Sequence, residues 1–359
     1  MPALNPLYTS RINRIGTRIH KKFQETIYEN LEDDYLISIF NQLEEYWFDN
    51  YRSTLIWFCN KISGGDPEKT IIPSLIMSLT SSGIGIHDDI IDKTYVKNYQ
   101  FTVPGRFDQK TALIAADLLI VKGLLSAEML VQVFNIDTYH SLITVLRKYF
   151  TEIAVAEIWE INANKKIDIE LKTYHDMLWK LGADIEVCAK MGAISADASE
   201  DQVQVLSIYG RSIGYLIRLR DELRDIIDIE GNFENRVKNE SIPLGLIYAS
   251  TKSDIHYKEI KDIIEKEEIK SKDIKKLLNI CRDSLALEYI KKNINDTSLK
   301  IQKKMDYFSD SEAKNMLIYL LKLIIQQTDI EQLKKEKEIT KSFYRHQGTK
   351  DRWGRGARV

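Results

Sequence analysis

Apolar residues recur at spacings of three and four over long stretches of this chain. The segments QVLSIYGRSIGYLIRLRDELRDIIDI (204–229) and EAKNMLIYLLKLIIQQ (312–327) are the clearest examples. This spacing is that of an amphipathic helix, and no series of short alternating runs is separated by hairpin turns. The six prolines leave two very long proline-free stretches, as long helices require. The pattern predicts an all-α protein built as a single bundle of long helices.

Polar, glycine-containing segments interrupt the helical pattern and predict loops. They fall at 63–69, 97–109, 195–201 and 230–243, and none of them is typical of a linker between domains. The chain is therefore predicted to form one all-α domain over residues 23–333. A basic segment, 1–22, precedes this domain, and a polar tail, 334–359, follows it.

Composition and charge favour a soluble globular protein. The chain is 44% hydrophobic and 29% charged, and its net charge of -2 gives no reason to expect a nucleic-acid partner. The three cysteines are widely separated, which predicts neither disulfides nor a zinc site and suits a reducing cytoplasm. No apolar run is expected to span a membrane. The basic first segment leaves peripheral contact with anionic lipid open, although a solvated helix is the favoured interpretation.

The segment GIHDDIIDK (85–93) places several carboxylates among isoleucines. On a helix Asp88 and Asp92 share one face, and that face continues through Ile84 to small residues one and two turns earlier. Gly83 and Gly85 would leave the helix wall below the acids thinly covered, as at the floor of a cavity. The carboxylates are thus predicted to border a cavity and not only a solvated edge.

A second helix repeats this arrangement. Asp221 and Asp225 lie four residues apart, and the face beneath them carries Ser207, Gly210 and Gly214. Glycine within a helix costs about 1 kcal/mol relative to alanine, so the two glycines need a reason. Close packing of helices and open space for a ligand both remain as explanations.

Two carboxylate clusters on separate helices can hold divalent cations. Mg²⁺ takes one or two protein carboxylates, several waters and the phosphate oxygens of a substrate. A diphosphate bound in this way at the mouth of an apolar cavity favours ionisation of an allylic ester, since the metal stabilises the leaving group and a dry pocket protects the carbocation.

These residues resemble the trans-isoprenyl diphosphate synthase (polyprenyl synthetase) family from about residue 25 to residue 330. The resemblance implies an all-α bundle of the isoprenoid synthase type around a central cavity, and a dimer. It also implies that two aspartate-rich motifs bind three Mg²⁺ ions around an allylic prenyl diphosphate. Asp88, Asp89 and Asp92 match the first motif, and Asp221, Glu222 and Asp225 match the second with one change. The predicted catalytic residues are Asp88, Asp89, Asp92, Asp221 and Asp225; the predicted metal ligands are Asp88, Asp92, Asp221, Glu222 and Asp225.

The resemblance also assigns cations to the substrate diphosphates, with several departures. The lysine of the family's lysine-threonine pair is present as Lys180, but Leu181 takes the place of the threonine. Other residues stand where the family carries cations: Thr70, Ile72, Asn98 and Asn239. Arg218 replaces a glutamine, and it is a hypothetical substitute because it shares the face of Asp221 and Asp225. The predicted diphosphate-binding residues are Lys69, Lys97, Lys180, Arg218, Arg236 and Lys238.

The expected activity is Mg²⁺-dependent prenyl transfer from an allylic prenyl diphosphate, with isopentenyl diphosphate as the acceptor. The depleted cation set keeps two alternatives open: a terpene synthase or a prenyltransferase with another acceptor, and a non-catalytic subunit of a heteromeric synthase. In the family, bulky residues one turn before the first motif limit chain length. Gly83 and Ile84 occupy these positions, and Gly83 predicts an open floor and a long product or substrate.

Overall fold

The structure is a computed structural model that describes residues 6–97, 100–229 and 233–335. These residues are overwhelmingly helical, which confirms the all-α prediction. Short 3-10 helices cover Pro67–Thr70 and Ser126–Gln132. The α-helices are α1 (Pro6–Ile27), α2 (Asp34–Tyr46), α3 (Tyr51–Ile62), α4 (Ile71–Ile91), α5 (Val103–Arg106), α6 (Gln109–Leu125), α7 (Ile136–Asn162), α8 (Leu171–Leu181), α9 (Ala183–Ile194), α10 (Glu200–Ile227), α11 (Phe233–Asn239), α12 (Leu244–Ser250), α13 (Asp254–Ile264), α14 (Ser271–Asp283), α15 (Ala286–Met305) and α16 (Glu312–Gln326).

Two predicted loops contain regular structure. In 97–109, the strands β1 (Val96–Lys97) and β2 (Gln100–Phe101) pair antiparallel, and α5 follows them. The Thr102 hydroxyl accepts a hydrogen bond from the Gly105 amide at 3.2 Å, which caps α5. In 230–243, α11 forms although the segment is polar. Ion pairs between residues four apart, Glu234 with Lys238 and Arg236 with Glu240, stabilise this helix. The glycine and asparagine content on which the loop prediction relied does not indicate these pairs.

The chain divides into two compact units. Unit 1 comprises Met1–Ile161, His175–Arg218 and Asp296–Lys322, and unit 2 comprises Asn162–Tyr174, Leu219–Asn295 and Leu323–Val359. The predicted boundary between residues 22 and 23 falls within the continuous helix α1, whose buried residues Ile19 and Phe23 lie on either side of it. Most of the predicted tail, from residue 336 onward, lies outside the described residues.

The core of unit 1 forms where α4 packs against α6. Leu75 and Leu79 of α4 are fully buried together with Ala112, Ala116 and Leu119 of α6. The alanines allow the helix backbones to approach closely, and the leucines fill the space between them. This packing fixes α4, and therefore fixes the position of the acidic segment at its end.

Helix α4 and the preceding 3-10 turn are long and apolar enough to cross a membrane, contrary to the expectation from the sequence. The stretch Pro67–Ile91 meets the length and hydropathy criteria, but 72% of its apolar window is buried inside the protein. The apolar surface of this stretch is thus covered by other helices, as in the core helix of a soluble protein.

Candidate functional site

The first acidic motif lies where α4 ends. The Asp92 amide donates to the Asp88 carbonyl at 2.9 Å, so the helical turn extends to Asp92. Asp88 and Asp92 are both partly exposed. A left-handed residue, Lys93, follows with φ 52° and turns the chain away from the helix. The predicted spacing therefore places these two carboxylates one helical turn apart at an accessible helix end.

Asp89, between them, has a different environment. Its side chain is 1% exposed. Lys97 Nζ lies 2.5 Å from Asp89 Oδ1 and 3.9 Å from Asp88 Oδ2, and the Tyr46 hydroxyl donates to Asp89 Oδ2 at 3.4 Å. Burial raises the pKa of the Asp89 carboxyl to about 6, although Lys97 opposes the rise. Asp89 thus holds Lys97 beside the motif from a buried position.

The first motif also interacts electrostatically with the predicted cation Arg218 and with acids that were not among the predicted site residues. Burial raises the pKa of Glu157 on α7 to about 8; Asp88, Glu160 and Asp184 add to the rise, and Arg218 opposes it. Burial alone would lower the pKa of Arg218, but the surrounding acids raise it above its ordinary value. The signal available in the sequence was the pair Glu157 and Glu160, three apart on a helix, which is the spacing that brings side chains onto one face.

The other predicted cations of unit 1 are on its surface. Lys180 Nζ lies 5.0 Å from the centre of the Trp159 ring, in a cation–π contact. Lys69 is exposed in the 3-10 turn Pro67–Thr70, and it forms no ion pair among the residues that the structure describes. Asp117 Oδ1 of α6 is 3.1 Å from His87 Nε2.

The second acidic motif lies in unit 2, near the end of α10. Glu222, its central residue, is 2% exposed. Its Oε1 accepts from the Tyr174 hydroxyl at 2.7 Å and from Arg236 Nη2 at 3.0 Å, and its Oε2 accepts from the Leu244 amide at 2.6 Å. Both carboxylate oxygens are thus bound to groups of other segments, so Glu222 fastens α10 to α8, α11 and α12.

Arg236 is the cation at the centre of this network. It also donates to Glu240 at 2.7 Å and to Ser241 Oγ at 2.9 Å, and its Nε is 3.7 Å from Asp225 Oδ2. Burial raises the pKa of Asp225 well above its ordinary value, and Arg236 opposes the rise. Asp221 accepts from Arg220 at 2.8 and 2.9 Å. Lys238, the remaining predicted cation, pairs with Glu234 at 2.5 Å.

Three of the glycines beside the acidic motifs, Gly83, Gly210 and Gly214, are sites of close packing. A Cβ at Gly83 would lie 2.6 Å from the Ala116 carbonyl oxygen and 2.7 Å from Ile120 Cγ1, so α6 occupies the space beside Gly83. The space beside Gly83 is therefore not open, and a role of Gly83 in limiting chain length stays a prediction. On α10, a Cβ at Gly214 would lie 2.6 Å from Gly182 Cα, and one at Gly210 would lie 2.8 Å from Ala189 Cβ. Close helix packing accounts for both of these glycines, whereas Ile84 is partly exposed.

The carboxylates offer oxygen ligands suited to a hard cation. Within the described ranges 6–97, 100–229 and 233–335, no three His, Cys, Asp or Glu side chains form a metal-binding group. Mg²⁺ does not require such a group, because it is held by one or two protein carboxylates together with waters and substrate phosphates. Asp88 and Asp92 fit this requirement because both are accessible and one turn apart. Glu222 does not fit, because its oxygens are already bound within unit 2.

Comparison with known proteins gives consistent results. A family model described as Polyprenyl synthetase matches residues 40–281. A short chain isoprenyl diphosphate synthase from Methanocaldococcus jannaschii is 24% identical over 232 residues, covering 63% of this chain and 69% of that protein. The geranylgeranyl pyrophosphate synthetase structure from Pyrococcus horikoshii has a TM-score of 0.77 at 21% identity, covering 89% of this chain and 99% of that one. A polyprenyl synthase from Caulobacter crescentus, complexed with calcium and isoprenyl diphosphate, has a TM-score of 0.75 at 15% identity, covering 89% and 97%.

Proposed function

This chain belongs to the polyprenyl synthetase family and is a prenyltransferase of isoprenoid biosynthesis, and we propose that it couples an allylic prenyl diphosphate to isopentenyl diphosphate. The observation that carries the proposal is the accessible pair Asp88 and Asp92 at the end of a buried helix, with Lys97 beside it. An enzyme that ionises a diphosphate ester needs such a site, because the charge of the leaving group must be stabilised as it develops.

In the proposed reaction, the allylic carbon–oxygen bond breaks and diphosphate leaves with the electron pair. The double bond of isopentenyl diphosphate then forms the new carbon–carbon bond, and a proton is lost to the departing diphosphate. Bound Mg²⁺, three ions by resemblance to the family, would supply Lewis-acid stabilisation of the leaving diphosphate. Asp88 and Asp92 would provide ligands at the first motif, and Asp221 and Asp225 would do so at the second.

We assign different roles to the two central acids. Asp89 would position Lys97, because it is buried and holds that ammonium group 2.5 Å away. Glu222 would act as a structural residue of unit 2 and not as a metal ligand, because its two oxygens already accept three hydrogen bonds. Exchanging those bonds for a metal would leave the buried Leu244 amide without this acceptor and would remove one of the carboxylates that hold Arg236, which is costly.

The substrate diphosphates would bind to the accessible cationic side chains. Within residues 6–97, 100–229 and 233–335, neither Lys69 nor the Lys180 side chain forms an ion pair, and Lys180 contacts the Trp159 ring, so both cations are available to an incoming anion. Arg236 and Lys238 already pair with glutamates, and a diphosphate would have to compete with these. Arg218 would contribute its positive charge beside the first motif, where the surrounding acids raise its pKa.

We also propose that the protein is a homodimer and that α6 contributes to the interface. Ile114 is 67% exposed and Leu125 is 62% exposed, and Leu118 and Val121 lie between them at spacings of three and four. This apolar stripe runs along one face of α6, as in a helix that packs against a second helix. A second copy of this chain is the proposed occupant because homodimers in this family are implied by the resemblance.

A cytoplasmic location is proposed on the chemistry of the cysteines. Cys59, Cys188 and Cys281 are all free and buried. Proteins of oxidising compartments commonly pair their cysteines, whereas free buried thiols suit a reducing compartment.

The proposed activity is tested by incubating the purified protein with Mg²⁺ and farnesyl or geranylgeranyl diphosphate, with and without isopentenyl diphosphate. A lengthened diphosphate detected by mass spectrometry only when isopentenyl diphosphate is present would support the proposal. A hydrocarbon or alcohol formed without it would identify a terpene synthase instead. The absence of turnover with every acceptor would favour a non-catalytic subunit.

Matched variants locate the activity. Asp88→Asn should lower product formation by on the order of a hundredfold or more, since removing one group that stabilises the developing charge costs about 10²–10³ in rate. Asp201→Asn is the control, because Asp201 is exposed in the first turn of α10 and has no proposed role. Equal loss in both variants would contradict the assignment of the first motif.

A further inference from the structure

A pocket of about 320 Å³ lies in unit 1, among α1, α3 and the start of α16. Its charged lining comprises Arg11 and Arg14 of α1, Lys61 of α3 and Glu312 of α16. Trp57 and Phe58 add aromatic surface to the same pocket. None of these residues belongs to the two acidic motifs, and the proposed prenyl transfer assigns no role to any of them. The volume is at the lower end for small-molecule sites.

Two cations of the pocket already hold one anion. Arg11 pairs with Glu312 Oε1, and Lys61 Nζ lies 2.7 Å from Glu312 Oε2, so each carboxylate oxygen has its own cation. All three side chains are partly exposed to solvent. Ion pairs in such positions are weak, because water and salt screen them, and an external anion can therefore replace the carboxylate.

The pocket also carries positive charge beyond that pair. Arg14 forms no ion pair among the residues described here, so the lining holds Arg11, Arg14 and Lys61 against Glu312 alone. A phosphate group matches this arrangement better than a carboxylate does, because it has more oxygens and carries more negative charge. Arginine in particular binds phosphate through two parallel hydrogen bonds.

The aromatic surface determines what the anion must carry. Phe58 is buried and Trp57 is partly exposed, and both line the pocket beside the cations. Inorganic phosphate would leave the exposed part of Trp57 in contact with water, whereas an apolar chain would cover it. We infer that this pocket binds a phosphate ester bearing an apolar chain, whose phosphate displaces Glu312 from Arg11 and Lys61.

The inference is independent of the proposed catalytic activity, and it is tested by binding in the presence of a chelator. Isothermal titration of the full chain in EDTA would compare geranyl monophosphate with inorganic phosphate and with geraniol. Geranyl monophosphate should bind at least about tenfold more tightly than either fragment, because it uses both the cations and the aromatic surface. Asp88→Asn should leave this binding unchanged, which separates the pocket from the proposed active site.

Substitutions in the pocket supply the decisive comparison. Arg14→Gln and Lys61→Gln should each weaken binding about fivefold or more, and Glu312→Gln should strengthen it by removing the competing carboxylate. Lys21→Gln is the matched control, since Lys21 is an exposed cation of the same helix outside the pocket. Absent binding, or binding that Arg14→Gln and Lys61→Gln leave unchanged, would overturn the inference.

Cosedimentation with vesicles distinguishes a free ligand from a membrane headgroup. Phosphatidylcholine vesicles with and without phosphatidylglycerol would be used. Binding to the anionic vesicles that falls in Arg14→Gln and not in Lys21→Gln would identify a lipid headgroup as the phosphate ester in the pocket. Equal loss in both variants, together with no binding of geranyl monophosphate, would show a general attraction of α1 to anionic surfaces and would overturn the inference.

Discussion

Glu222→Gln tests whether the central acid of the second motif is structural. Glutamine has the same shape as glutamate, but one of its two terminal atoms is a donor. If its oxygen keeps the bonds from Tyr174 and Arg236, its amide nitrogen faces the Leu244 N–H, and two donors then meet in a buried place. If the amide is turned over, its nitrogen faces the Arg236 guanidinium instead, and a guanidinium has only donor groups and cannot accept a hydrogen bond. Neither orientation satisfies the network.

The expected loss of stability follows from these contacts. A buried N–H left without an acceptor costs about 1–3 kcal/mol. The bond from Arg236 to a neutral oxygen is weaker than its charge-assisted bond by about 1 kcal/mol. The sum is about 2–4 kcal/mol. With about 2.1 cal/mol/K of unfolding entropy for each residue, a chain of 359 residues that unfolds cooperatively should lose about 3–5 °C in Tm.

The measurement is thermal unfolding followed by circular dichroism in EDTA, where no metal contributes. Asp221→Asn is the control, because the one ion-pair partner of Asp221 among the described residues is its partly exposed neighbour Arg220, and the variant should change Tm by about 1 °C or less. Titration calorimetry with Mg²⁺ and inorganic pyrophosphate then reports metal binding. If Glu222→Gln kept its Tm in EDTA and lost Mg²⁺ affinity, the structural role would be refuted and Glu222 would be a ligand.

Three further outcomes are expected. Gly83→Ala should lower the free energy of unfolding by about 1–3 kcal/mol, because the added methyl group would overlap the α6 backbone. Ile84→Phe, and not Gly83→Ala, should shorten the product. A stable Gly83→Ala enzyme that makes a shorter product would contradict both expectations. Because the folded-state pKa of Glu157 is raised to about 8, the protonated carboxyl stabilises the fold below about pH 4.5 and loses this contribution as the pH rises through 8. In chemical unfolding, the stability of Glu157→Gln relative to the original protein should therefore rise by on the order of 4 kcal/mol between pH 5 and pH 8, and a pH-independent difference would exclude the shift. Replacing Ile114 and Leu125 by aspartate should convert the proposed dimer to a monomer in light scattering, and an unchanged mass would remove α6 from the interface.

The fold class could be predicted without coordinates, because the helical periodicity of apolar residues is a property of consecutive positions. The sequence also determined that Asp88 and Asp92 share a helix face, since a spacing of four residues fixes that relation in any helix. The family could be inferred from the two acidic motifs, because each consists of residues close together in the sequence. These features needed no knowledge of what packs against them.

The tertiary structure alone decided the roles that depend on neighbours distant in sequence. Gly83 predicted open space because glycine has no side chain, but whether that space is empty depends on α6, which fills it. In the sequence, Glu222 and Asp89 resemble the other acids of their motifs. In the structure, Glu222 is bound by Tyr174, Arg236 and the Leu244 amide. Asp89 is bound by Tyr46 and Lys97. A carboxylate's role depends on its solvation and its partners, and a spacing pattern specifies neither of them.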